Sequence, residues 1–317
     1  MDHPETASPV AGNAMESRSM LNPLDIALLK WAPYTGISFP LPGFATDIAF
    51  DGANMWVTCL YSDLLCQVRP SDGALLQQIS LKGVSKLCFD GANLWVVTGN
   101  ATITKVRATD GTILGQFTTG HGAGDCICDG TNIWVSNFGG FGGRPGGGQP
   151  GTTVTKLRAS DGSLQGTFTV GTNPGDMAFD GTNVWVANYG SGTLTKLRAS
   201  DGVQLGEFSV GKFPVGTTFD GANIWVINFT NAKINKVRAS DGAIVGTFHC
   251  GSQPYSALFD GTNIWVTNQP NNQVAKLRAS DGVLLGFFPT GSSPTQLAFD
   301  GANVWIANNN ENSVNKF

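Results

Sequence analysis

The chain has 317 residues, 41% hydrophobic and 13% charged, with a formal net charge of −4. That composition supports a packed core under a weakly charged surface and leaves no basic footprint for nucleic acid. No apolar run is long enough to cross a bilayer as a helix, so no membrane partner is expected.

Residues 1–35 begin MDHPETASPVAGNAMESRSM, a polar stretch without the basic start and apolar run of a secretion signal. The segment reads as a flexible N-terminal tail or edge cap, with Trp31 able to cover an outer strand. Cytoplasmic residence is the default expectation, although a processed secreted chain would look the same. Gly36–Leu41 then reads as a lone strand ahead of the first repeat.

From there Trp56, Trp95, Trp134, Trp185, Trp225, Trp265 and Trp305 recur at intervals of 39, 39, 51, 40, 40 and 40 residues. Each sits in a phrase close to Phe-Asp-Gly-x-Asn-x-Trp-Val, and such a period marks a repeat protein. The fourth unit, Pro174 to Gly211, shows the grammar. Runs near 175–179, 182–187, 193–198 and 203–209 predict strands, with tight turns at Asp180-Gly181 and Asp201-Gly202. Helical crossovers are missing, so the pairing is antiparallel. Four such strands per unit predict an all-β, seven-bladed propeller over residues 36–317 as a single domain. The chain stops at NSVNKF, the third strand of a unit, and Gly36–Leu41 supplies the missing fourth. Joining the ends removes two open sheet edges.

Most prominent repeat residues have a folding explanation. The tryptophans fill the space between blades. The series from Lys105 to Lys316, and its partner from Arg69 to Arg278, lay their stems over strand surface while their heads reach water or Asp. The repeat aspartates shape turns. Six cysteines suit buried thiols rather than a metal pattern, and Cys59 and Cys66 lie on neighbouring strands where a bridge is geometrically open.

Function is expected where the repeat departs from itself. The turns between first and second and between third and fourth strands are nearly invariant. The other connections share the opposite face and vary, which makes that face the place for a site. In blade three the stretch after Asn137, FGGFGGRPGGGQPGTTV, is eleven residues longer than its counterparts. It offers Phe138, Phe141 and Arg144 as flap contacts. At the start of the innermost strands stand Asp47, Lys86, Asp125, Asp176, Gly216, Ser256 and Gln296. Three of these are carboxylates that could receive a divalent cation, and Lys86 favours an anionic ligand group. They serve equally as hydrated groups round a channel. Nearby loops add Tyr61, Tyr189, Lys212, Phe213, Phe229, Tyr255 and Gln269. His121 lies four residues before Asp125, so an acid–base pair there is conceivable. The HExxH and GxSxG motifs and the full phosphate-binding loop GxxxxGK[ST] are absent.

The repeated AFDGxNxWVxN followed by VxKLRASDG resembles the β-propeller group that contains NHL, YVTN and virginiamycin B lyase-like repeats, over about Gly36–Phe317. The resemblance implies propeller architecture. For the lyase branch it implies metal-assisted elimination that opens a cyclic depsipeptide, carried by histidines and an acidic residue on the channel face. This chain lacks the paired histidines, and His121 with Asp125 does not replace them, so neither the reaction nor its magnesium carries over.

The leading expectation is a noncatalytic ligand-binding or protein-interaction propeller using its variable face, monomeric and needing no cofactor. Its partner would be a small molecule, glycan, peptide or protein. Its contacts would come from Asp47, Lys86, Asp125, Asp176, Gln296, Phe138, Phe141, Arg144, Tyr189, Phe213, Phe229 and Tyr255. The alternative is a lyase or hydrolase using His121, Asp125 and Asp176, with Asp47, Asp125 and Asp176 as a possible cation set.

Overall fold

The computed structural model of the chain describes residues 36–140 and 148–317. Trp31, Phe141 and Arg144 lie outside them. The described chain forms seven sheets of four antiparallel strands each. Blade four runs Pro174–Phe179, Asn183–Asn188, Thr193–Arg198 and Gln204–Ser209, within a residue of the boundaries expected from sequence. The last blade takes Pro294–Phe299, Val304–Asn308 and Ser313–Lys316 from the C-terminal end, and Ile37–Pro40 from the N-terminal side pairs with Ser313–Lys316 as its outer strand. The first strand of every blade packs against the first strand of the next, and the first strands of blades seven and one close the ring.

The core is divided among the joints between blades. Trp185, for example, packs with Ile224, Val226 and Val237 of blade five, and Trp305 packs with Ile48 and Val57 of blade one. The repeat tryptophans have at most 4% of their surface exposed. An indole buried this deeply must have a partner for its N–H. The aspartate five residues earlier provides it: Asp180 Oδ2 accepts from Trp185 Nε1 at 2.8 Å, and Oδ1 of the same carboxylate accepts the amides of Thr182 and Asn183 at 2.9 and 2.6 Å. The repeat aspartate therefore shapes the turn and also anchors the core. Burial resists its ionisation, but the bonds from Trp185 and Asn183 outweigh it and hold Asp180 below the usual carboxylate range.

The lysine and arginine series, expected to behave alike, separate. Each arginine reaches an exposed aspartate three residues on, as Arg158 does with Asp161 at 3.3 Å. The lysines turn inward. Lys156 Nζ lies 5.1 Å from the Trp134 ring centroid and donates to the carbonyls of Ala199 and Ser200 in the next blade at 2.7 and 3.2 Å. Lys105, Lys196, Lys236 and Lys316 repeat this clasp, the last onto Pro70 O at the ring closure. Expected to reach water or aspartates, these heads instead each donate to backbone oxygens of the next blade, and Lys236 also lies 3.6 Å from Asp220 Oδ2.

The Asp-Gly turn of each outer hairpin has a matching constraint. Gly202, at φ 76°, lies under the Phe168 ring of the preceding blade, so a side chain there would be both strained and obstructed. All six cysteines are free thiols; Cys59 and Cys66 Sγ atoms stand 3.6 Å apart.

Candidate ligand pocket at the channel mouth

The innermost strands share one irregularity. Their pairing with the second strand slips at the second or third residue, between Ala45 and Asp47, Ala123 and Cys126, and Pro174 and Met177. Such a bulge leaves backbone groups unpaired and re-aims a side chain. In blade one the hydroxyl of Thr58 fills the gap, accepting from Asp47 N at 3.1 Å and donating to Ser85 O of blade two at 2.8 Å. In blade three Ser136 Oγ accepts from Asp125 N at 2.8 Å.

The amides freed by the bulge are taken by the preceding blade. Asp47 Oδ2 accepts Leu87 N at 2.8 Å, and Asp125 Oδ2 accepts Met177 N at 3.1 Å. Asp176 Oδ1 accepts the Thr217 hydroxyl at 2.9 Å. The three rim aspartates thus tie neighbouring blades together at the axis. Among the described residues no group of three or more His, Cys, Asp or Glu side chains is placed to hold a metal ion. The expected cation set of Asp47, Asp125 and Asp176 is therefore not assembled, because Asp47 is buried and has both oxygens engaged by the amides of Ile48 and Leu87.

Above these bonds opens a cavity of about 490 Å³. Its lining includes Lys86, Asp125, Asp176, Gln296, Phe138, Tyr189, Phe229 and Tyr255, all of which the sequence singled out. Phe138, Tyr189 and Phe229 occupy one repeat position in blades three to five, immediately after the conserved-in-repeat asparagines Asn137, Asn188 and Asn228. Phe213 supports the wall from behind, its ring centroid 4.8 Å from that of Tyr189. Thr46, Ser85, Ala123, Gly124, Gly175, Pro214 and Val215 complete the surface and carry no sequence signal, lying at or beside the bulged positions.

The electrostatics follow from crowding. Burial pushes Asp125 well above the carboxylate range and the nearby Asp176 adds to it, against Lys86. Burial likewise raises Asp47, and raises Asp176 to about 6, with Lys86 opposing in both cases. Burial alone would lower the Lys86 ammonium, but Asp47, Tyr255, Asp125 and Asp176 together hold it above its ordinary value.

His121 is elsewhere. It is exposed, its Nε2 stands 2.7 Å from Asn100 Nδ2, and it faces a separate depression with Gln149, Pro150 and Thr152. The structure does not bring it together with Asp125 and Asp176, since the bulge turns Asp125 to the axis while His121 stays on the preceding connection. Tyr61 is 80% exposed and edge-on to Phe44, also outside the cavity.

Fold and cavity define a seven-bladed β-propeller with a mixed aromatic and charged pocket on its axis. In sequence the chain matches no protein-family model and no curated protein. Among solved structures it is similar to a streptogramin B lyase, at TM-score 0.75 and 16% identity over 90% of this chain and 98% of that one. It is also similar to hydrazine synthase of Kuenenia stuttgartiensis, at TM-score 0.72 and 14% identity over 89% and 97%. At such identities the likeness defines the fold and stops there.

Proposed function

We propose that this propeller captures a small ligand reversibly in the channel-mouth cavity, without turning it over. The observation that carries this reading is the lining. Aromatic faces and a few fixed charges converge on one space of about 490 Å³, a volume in the range of small-molecule pockets. The aspartates are held by the next blade's backbone and hydroxyl groups, so the polar groups are set before a ligand arrives and little ordering entropy opposes binding. One chain supplies the whole lining, and a bound cation is not part of the reading.

The alternative, a lyase or hydrolase, draws its support from Asp125 and Asp176. A carboxyl raised to about 6 is suited to proton transfer near neutral pH. With His121 outside the cavity, that alternative rests on the two aspartates alone.

The two separate in a single experiment. The protein is screened by thermal shift against amino acids, short peptides and sugars, and each stabilising compound is recovered after long incubation for mass spectrometry. Recovery unchanged, with the shift lost in Tyr189→Ala while the unliganded fold persists, supports capture. A product whose formation stops in Asp125→Asn would replace it with the catalytic reading.

A further inference from the structure

The charged groups that face the cavity are not paired with one another. Lys86 extends from blade two toward blade six, where its Nζ stands 5.9 Å from the Tyr255 ring centroid. Among the described residues no carboxylate oxygen lies within 4.0 Å of that ammonium. Asp125 commits Oδ2 to the Met177 amide, and its Oδ1 accepts no hydrogen bond from the described residues. Asp176 stands beside it in the next blade, its Oδ1 bonded to Thr217. One cation and two carboxyl groups, of which Asp125 is held toward its protonated form by burial and by Asp176, therefore share a space of about 490 Å³ without closing on each other.

The placement is one-sided. The acids come from blades three and four, and the aromatic wall of Phe138, Tyr189 and Phe229 comes from blades three, four and five. A simple cation would suit the acids but meet Lys86 as a like charge. A simple anion would suit Lys86 but face the acid pair of Asp125 and Asp176. A molecule carrying both charges a few ångströms apart satisfies both, and its ammonium also gains from neighbouring aromatic faces.

We propose that the pocket takes a small zwitterion of the amino-acid type, its carboxylate on Lys86, its ammonium on Asp125 and Asp176, and an apolar or aromatic body along Tyr189 and Phe229. This rests on the reading of the cavity as a reversible binding site, and names what that site selects. Charge-assisted hydrogen bonds to fixed partners are the strong ones, so removing either ligand charge should weaken binding by about tenfold or more.

The test is calorimetric titration of the full chain with four probes: L-phenylalanine, L-phenylalaninamide, N-acetyl-L-phenylalanine and N-acetyl-L-phenylalaninamide. The expected result is binding of phenylalanine, with each singly blocked form about tenfold weaker or worse and the doubly blocked form weakest. In Lys86→Met the preference for phenylalanine over its amide should disappear. The comparison among ligands needs no variant, so it stands even if Lys86→Met fails to fold. Equal affinity for all four probes would overturn the zwitterion. If only the doubly blocked form binds, and Tyr189→Ala abolishes it, the cavity remains a binding site and the ligand class is wrong. If neither these probes nor the wider screen yields a ligand, both readings fall.

Discussion

Replacing Lys156 with Met keeps the stem over Trp134 and removes only the ammonium. That group is 5% exposed as a residue and makes bonds of 2.7 and 3.2 Å to the carbonyls of blade four. Hydrogen bonds to a charged donor contribute about 1.5–3 kcal/mol net, and the ring contact about 0.5–2 kcal/mol. Relief from desolvating the ammonium offsets part of this. The expected loss is about 2 kcal/mol, or a fall in Tm of roughly 4 °C for a domain of this size. Blade one offers the reverse experiment. Gln67 holds the lysine position opposite Trp56, buried, and makes no such bond to blade two. Gln67→Lys places an ammonium where Ala108 O can accept it, and the expected gain is about 1 kcal/mol after side-chain ordering. Arg158→Met is the control: its pair with Asp161 is half exposed, so its effect should stay within about 1 kcal/mol. The assay is thermal and urea unfolding of the three variants beside the parent. A Lys156→Met shift no larger than that of Arg158→Met would refute the clasp, as would destabilisation by Gln67→Lys.

Two further outcomes follow from the carboxylates. Asp176 is raised to about 6 in the fold, so folding is favoured by its proton below the unfolded value and that contribution is lost as pH rises from about 4 to 6. Asp176→Asn should therefore be more stable than the parent at pH 8, by roughly 1–2 kcal/mol after allowing for cavity water, and nearly equal at pH 4; a pH-independent difference in Tm would contradict the assignment. Asp180 is the opposite case: its folded value is lowered, so its stabilisation is present above about pH 4 and fades on acidification. Asp180→Asn turns an amide N–H₂ toward the Trp185 indole N–H, and should cost about 2–3 kcal/mol at pH 7 with a smaller penalty near pH 2, measurable by denaturant unfolding.

The architecture was legible because its determinants are local. Asp-Gly turns force the hairpins, and a tryptophan every blade reports the spacing of the joints. What could not be read is where a polar side chain finds a backbone partner. The clasp of Lys156 depends on Ala199 O, an acceptor every residue possesses, so no residue type announces it. The same limit applies at the rim. Internal comparison located Asp47, Lys86, Asp125 and Asp176, because each departs from its repeat. It could not tell that the bulge turns Asp47 onto Leu87 and Ile48, away from any shared ion. Nor could spacing alone place His121, four residues from Asp125 yet beside Asn100.

A ring of near-identical blades has no preferred sector until the repeats diverge, and here two kinds of divergence coincide. Asp125 and Asp176 fall in adjacent blades at the inner bulge, and Phe138, Tyr189 and Phe229 fall in overlapping blades at the next connection. The opposite sector presents Lys86 with Thr46, Ser85 and Gln296. Neither set serves the joints that hold the ring: the tryptophan cores and lysine clasps lie between blades and recur round most of it. The rim aspartates are the exception, since each links two blades and also faces the cavity. Their substitution should therefore change binding and the pH dependence of stability together, whereas Tyr189→Ala should change binding and leave the pH dependence unchanged. Measuring both quantities on the same variants distinguishes a wall residue from a rim residue.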